Sequence, residues 1–433
     1  MIKEIIWKEN VFYMKSLITR KLKSAANYVK VFLKWILISI PTGIIGGLIG
    51  TAFSYGITYA NKFNTSFEWA IFLLPVGGVL IVLMYKAAGV ENDPGTNLVI
   101  ESIRSKKSVP WFMAPLIFFG TIITHLVGGS AGREGAALQL GGSLGSLVGK
   151  VLHLDEKDMH IAIMCGMSGL FSSLFCTPIT AAFFALEVIS VGVAYYSALV
   201  PCFVSGIVSY YVAVTLGISP MRYDIEEAVP SFDIVPILQI IGLAAACAVI
   251  SIVFCVAVEK AHIYAKKLLP NEFIRVLAGA GILILLTLLV NCRDYNGAGS
   301  QVIANALAGN AKPEAFALKI IFTAVTIGCG FKGGEIVPTL FIGSTFGCVF
   351  GSLLGIDPTF AAAVGMISLF CGVVNCPIAS IIMSVEIFGS SGLIFFALAS
   401  GVAYMLSGYY GLYSSQKILY SKLKAEFINI NAK

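Results

Sequence analysis

Charge is what this sequence has least of: Asp, Glu, Lys and Arg make up only 12% of its 433 residues, while 58% are hydrophobic. Soluble domains carry about 25% charged residues, so a water-exposed globule is excluded. Histidine is scarce too, four in all and without ligand-like spacing, and no two of the ten cysteines form a CxxC pair. Neither a metal site nor a disulfide framework is indicated, and no cofactor is expected. Cys165, Cys247, Cys255 and Cys348 lie inside apolar runs and read as small buried hydrophobes. A basic stripe interleaved with aromatics is missing, which argues against a nucleic-acid partner. No cleavable signal is evident either, because the first long apolar run starts about 30 residues in and is too long.

What is present instead are apolar runs such as "WAIFLLPVGGVLIVLMY" (69–85), "IIGLAAACAVISIVFCVAV" (240–258) and "VLAGAGILILLTLLV" (276–290). Roughly ten to twelve runs are long enough to cross or deeply enter a bilayer, where one span takes about 20 residues. The expected class is an all-α polytopic membrane protein, because a helix satisfies its own backbone groups in lipid. Lys3, Lys8, Lys15, Arg20, Lys21, Lys23, Lys30 and Lys34 precede the first long run, opposed by Glu4 and Glu9; Lys417, Lys422, Lys424 and Lys433 follow the last, against Glu426. Both termini are therefore expected in the cytoplasm, with the Lys266, Lys267 and Arg275 loop on the same side and the acidic segment 221–233 outside. The net charge of +6 reads as orientation in a bilayer.

The chain is a duplicate of itself. "GMSGLFSSLFCTPITAAFFALEV" (166–188) aligns without gaps on "GMISLFCGVVNCPIASIIMSVEI" (365–387), matching Gly166 to Gly365, Pro178 to Pro377 and Glu187 to Glu386. Upstream, "GREGAALQLGGS" (132–143) aligns on "GGEIVPTLFIGS" (333–344), which sets Glu134 over Glu335. Repeats joined by broken, glycine-rich segments are the signature of transporters whose site lies mid-membrane between the halves. The alignment alone leaves open whether the repeats are parallel or inverted.

Each glycine-rich start runs into an apolar helical stretch, so each presents free backbone N–H groups and the positive end of a helix dipole: an anion site. "NDPGTNLVIES" (92–102) is a third candidate, where Pro94 and Gly95 break the chain and Thr96 and Asn97 could cap the next helix or offer donors to a ligand. Paired aspartates, Ser-His and metal-ligand spacings are lacking, which disfavours a membrane enzyme.

With these motifs the sequence resembles the CLC chloride channels and proton-coupled anion exchangers, over about residues 35 to 415. "GREG" at 132–135 matches the family's GREGP signature with Ala136 in place of proline. "GGEIVP" at 333–338 stands where the family has GxFxP, "PGTNL" at 94–98 where it has GSGIP, and "GLYSS" at 411–415 carries a tyrosine that members keep near the central anion. The resemblance implies an inverted-repeat helical homodimer with a pore in each subunit. It implies Glu134 as the gate and proton carrier. Gly95, Thr96, Asn97, Gly132, Arg133, Gly135, Glu335, Ile336 and Tyr413 would form the anion-binding set. An ion pair with Arg133 is the structural alternative for Glu134, though adjacent helical residues do not face each other well. For Glu335 that alternative is a pair with Lys332, and for Tyr413 it is an interfacial aromatic.

Three departures are informative. The family's chloride/proton exchangers end the segment after the GREG helix with two acids, whereas here Glu187 is followed by Val188, so the inner proton acceptor is missing. Thr96 replaces the GSGIP serine, and Glu335 stands where chloride carriers have an apolar residue. Together with the lack of CBS domains, these traits resemble the bacterial fluoride/proton antiporter branch. A neutral, buried Glu335 would be a donor, and a small, strongly hydrated anion needs strong donors to replace its water. Glu187 and Glu386 read as structural, bonding backbone groups or a partner helix. The expectation is a fluoride exporter of the bacterial plasma membrane, exchanging fluoride for protons; a chloride/proton antiporter or passive chloride channel is the alternative. A basic segment 1–34, a transmembrane domain 35–415 with halves 35–216 and 234–415, and a short cytoplasmic tail 416–433 complete the expected organisation.

Overall fold

The computed structural model describes residues 2–90, 93–105 and 109–433; Asn92, which opens the third motif, lies outside them. Sixteen α-helices occur among the described residues, eight per repeat. The first half holds α1 (Ile2–Ser66), α2 (Leu74–Ala87), α3 (Thr96–Ser102), α4 (Met113–Leu126), α5 (Glu134–Val151), α6 (Glu156–Phe175), α7 (Pro178–Glu187) and α8 (Leu199–Thr215). The second holds α9 (Ile234–Leu268), α10 (Glu272–Val290), α11 (Ser300–Leu307), α12 (Ala315–Gly328), α13 (Ile336–Leu353), α14 (Pro358–Val374), α15 (Pro377–Phe388) and α16 (Leu393–Leu406).

The same local chemistry ends and starts the matching helices. Asp155 caps α6 by accepting from Asp158 N at 2.8 Å, and Asp357 caps α14 by accepting from Thr359 N at 2.9 Å. Both helices then stop at a left-handed residue, Cys176 with φ 57° and Asn375 with φ 59°, two positions before a proline that opens the next helix. Within each half the two central helices touch backbone to backbone. A Cβ on Gly166 would stand 2.1 Å from Gly141 O, and one on Gly365 would stand 2.4 Å from Gly343 O, so only glycine permits this approach.

Seven helical stretches among the described residues are long and apolar enough to cross a membrane, and six further apolar helices are shorter. Breaks at Thr177–Pro178 and Cys376–Pro377 divide what reads in the sequence as continuous apolar runs. The outward faces are apolar, with Leu37, Val76, Leu285 and Leu289 all exposed, as lipid contact requires.

The all-α expectation needs one amendment. β1 (Ser190–Val191), β2 (Lys417–Tyr420) and β3 (Phe427–Asn431) form a small sheet, β1 parallel to β2 and β2 antiparallel to β3. The tail is thus folded back on the helical body. Its alternating side chains were not legible as strands because the partner strand β1 contributes only two residues, 227 positions upstream at Ser190↔Lys417.

Candidate functional site

The two glycine motifs meet. Gly132 N donates to Gly334 O at 2.6 Å and Gly334 N donates to Gly132 O at 2.8 Å, an antiparallel bridge that brings the starts of α5 and α13 together. The approach is so close that a Cβ on Gly334 would lie 2.3 Å from Gly135 N. This explains glycine at both strands of the bridge.

Glu134 is buried, 1% exposed, with its carboxyl folded back over the start of its own helix. Arg133 N donates to Glu134 Oε2 at 2.9 Å and Arg133 Nε to Oε1 at 3.3 Å. The ion pair that the sequence disfavoured therefore exists. Arg133 is the residue before the helix, with φ −115°, and the argument from adjacent helical positions does not apply to it. Its guanidinium is fixed further by bonds to Ser54 Oγ at 2.8 Å and Leu174 O at 3.1 Å. A carboxylate thus occupies the positive end of α5, where a free anion would otherwise be stabilised.

The start of α13 is different. Glu335 precedes it without a side-chain capping bond, and Ile336, fully buried, is its first residue. Lys332 pairs with Asp93 at 3.0 Å rather than with Glu335. The Glu335 carboxyl reaches across to the first repeat, where a Cβ on Gly135 would stand 2.9 Å from Oε2.

Gly95, Thr96, Asn97, Gly135, Glu335 and Tyr413 line one cavity of about 560 Å³. Gly132, Arg133, Glu134 and Ile336 are not among its lining residues and stand behind the wall. Thr96 does not cap α3; Gly95, with φ 62°, precedes the helix, and Thr96 Oγ1 donates to Gly135 O at 3.0 Å. Asn97 Oδ1 accepts from Ser415 N at 2.9 Å and so holds the loop that carries Tyr413. Tyr413 is 2% exposed, which removes the interfacial reading, and its Oη has no hydrogen-bond partner among the described residues. A buried hydroxyl in a cavity wall with no protein acceptor keeps its donor capacity.

Sequence reasoning missed Asp93 and Lys332 as cavity residues. Asp93 Oδ1 accepts from Gly95 N at 2.9 Å and from Gln139 Nε2 at 3.2 Å. An aspartate ahead of Pro-Gly is a turn signal that points to such a bond. Glu187 and Glu386 do as expected: Glu187 accepts from Ala379 N at 2.8 Å and Ile378 N at 3.3 Å, and Glu386 from Thr180 N at 2.8 Å and Ile179 N at 3.0 Å. Each acid binds the start of the other repeat's helix, which is a local two-fold relation.

Two repeats of broken helices, with glycine-rich starts converging beside a partly open cavity inside an apolar exterior, have the architecture of a multi-pass transporter or channel. Residues 77–408 match the voltage gated chloride channel family model, and the chain belongs to that CLC family of anion channels and anion/proton antiporters. It is 33% identical over 397 residues to a chloride/fluoride channel protein of Pseudomonas syringae pv. tomato, covering 90% of this chain and 87% of that protein. The crystal structure of a CLC-type fluoride/proton antiporter is similar with a TM-score of 0.86 at 31% identity, covering 89% of this chain and 98% of the other. A slow cyanobacterial Cl⁻/H⁺ antiporter shares the fold, with a TM-score of 0.74 at 18% identity, over 86% and 94% of the two chains. The architecture is accordingly the CLC inverted-repeat one.

Proposed function

We propose that this protein exports fluoride from the cytoplasm in exchange for protons, as a homodimer in the bacterial plasma membrane with both termini inside. Glu335 carries the proposal. It is an acid in the wall of the anion cavity with no cation paired to it among the described residues, laid against Gly135 of the opposite motif. A carboxylate there repels any anion, whereas its protonated form donates a hydrogen bond. Fluoride, compact and tightly hydrated, gains most from such a donor, from the Tyr413 hydroxyl and from the N–H groups at the start of α13.

Protons need a route as well, and the segment after Glu187 offers none. Val188 is fully buried and its carbonyl accepts from Gln416 Nε2 at 3.0 Å. Glu187 is committed to the start of α15. Proton exchange therefore runs between Glu335, in the cavity wall, and Glu134, on the other side of the Gly132–Gly334 bridge. When Glu134 takes up a proton it loses its hold on Arg133 and leaves the end of α5 free for the anion.

Substitution of Glu335 tests this reading in reconstituted liposomes. Glu335→Ala should lower fluoride flux at least about tenfold, the scale of one lost charged hydrogen bond, and chloride leakage should stay equal or rise. Glu335→Gln keeps a donor, so it should retain more fluoride flux than the alanine form but lose proton coupling. Intact fluoride flux and coupling in both variants would make Glu335 structural and favour a chloride carrier.

A further inference from the structure

We propose that Asp93 and Lys332 form a self-cancelling charge pair in the cavity wall, which braces the three glycine-containing motifs and adds no net charge of its own to the field an anion meets there. This rests on the anion-carrier reading above and assigns two further residues that set anion affinity. Lys332 Nζ stands 3.0 Å from Asp93 Oδ2, with side-chain exposures of 20% and 3%. Both residues line the 560 Å³ cavity and also an adjoining one of about 210 Å³, so the pair stands between them.

Three elements depend on it. Asp93 Oδ1 holds Gly95 N, at the start of the α3 motif, and Gln139 Nε2, in the second turn of α5. Lys332 belongs to the second repeat and is separated from Glu335 only by Gly333 and Gly334. Its ammonium also lies 4.3 Å from the centre of the Tyr85 ring, and its backbone N donates to Thr124 Oγ1 at 3.2 Å. The lysine is thus held at both its ammonium and its backbone, and it anchors the upstream end of the two-glycine linker that leads to Glu335.

A pair of this kind contributes no net charge. Loss of one member leaves the other uncompensated in a weakly screened place. The consequence is asymmetric, because the ligand is an anion. Asp93→Asn keeps an oxygen for Gly95 N but leaves a bare cation, which attracts fluoride and chloride alike. Lys332→Met leaves a bare carboxylate, which repels both. A merely structural brace would instead impair transport in the same direction whichever half was removed.

The test uses the full-length chain in liposomes, with apparent KM and the fluoride-to-chloride flux ratio measured on variants that elute as monodisperse protein. Asp93→Asn should lower the KM for both anions about tenfold, the effect of one unit charge at cavity distance, with the fluoride-to-chloride flux ratio left near its wild-type value. Lys332→Met should raise KM about tenfold by the same interaction with opposite sign. The double variant should return KM toward the wild-type value. Shifts of the same sign in both single variants, no shift in either, or a double variant worse than both would overturn the proposal. If Lys332→Met does not fold, Asp93→Asn decides alone, since a raised KM contradicts the account. Wild-type protein that carries neither anion would defeat the carrier reading itself, a result distinguishable from all of these.

Discussion

Glu134 and Glu335 occupy equivalent places in the two repeats, yet their carboxyls keep different company. Glu134 is bonded by Arg133 through both backbone and side chain, and Glu335 faces the cavity without a cation partner among the described residues. Glu134→Gln should therefore abolish proton movement driven by an anion gradient, because an amide cannot titrate at that position. A pH probe in the liposome lumen checks this, and antiport at the wild-type rate would reject the gate assignment. These two acids were legible because a charge within an apolar duplicated segment stands out against its surroundings. Asp93 was not, since its partner Lys332 lies 239 positions away and neither residue falls inside a matched repeat block. Thr96 was legible as a polar residue at a chain break, but its acceptor, Gly135 O on another helix, could not be read from local chemistry.

At the scale of helices, four starts matter and three are met by carboxyls. Glu134 covers α5, Glu386 binds α7 and Glu187 binds α15, while α13 has no side-chain cap. The crossed pair of Glu187 and Glu386 fastens the repeats to each other without entering the cavity. Glu386→Ala should cost about 1.5–3 kcal/mol of stability, the range for charge-assisted hydrogen bonds, leaving anion selectivity unchanged. Thermal unfolding followed beside flux ratios tests both halves of that statement; altered selectivity with unaltered stability would contradict it. Helix limits set by Asp155, Asp357, Pro178 and Pro377 were within reach of sequence rules, because caps and prolines act locally. The meeting of α5 with α13 through Gly132 and Gly334 was not, because glycine advertises close approach without naming what approaches.

The whole molecule is two sets of eight helices whose motifs converge, with a carboxyl-terminal sheet closing over the end of α7. That sheet fixes Gln416, fully buried, against the carbonyls of Val188 and Val374, at 3.0 and 2.9 Å. The duplication and the meeting of acids with helix starts were readable from repeated residues alone. The sheet was not, because it pairs the tail with a two-residue strand in the middle of the chain. These features meet in the proposal that the cavity's own acid, Glu335, takes up a proton before an anion is held. The most direct measurement follows efflux from liposomes loaded with fluoride and chloride, using electrodes for both anions and a pH probe at once. Fluoride should leave faster than chloride, with protons moving in the opposite direction and stopping when fluoride is withheld. Chloride efflux equal to or faster than fluoride, or fluoride efflux without proton movement, would contradict it.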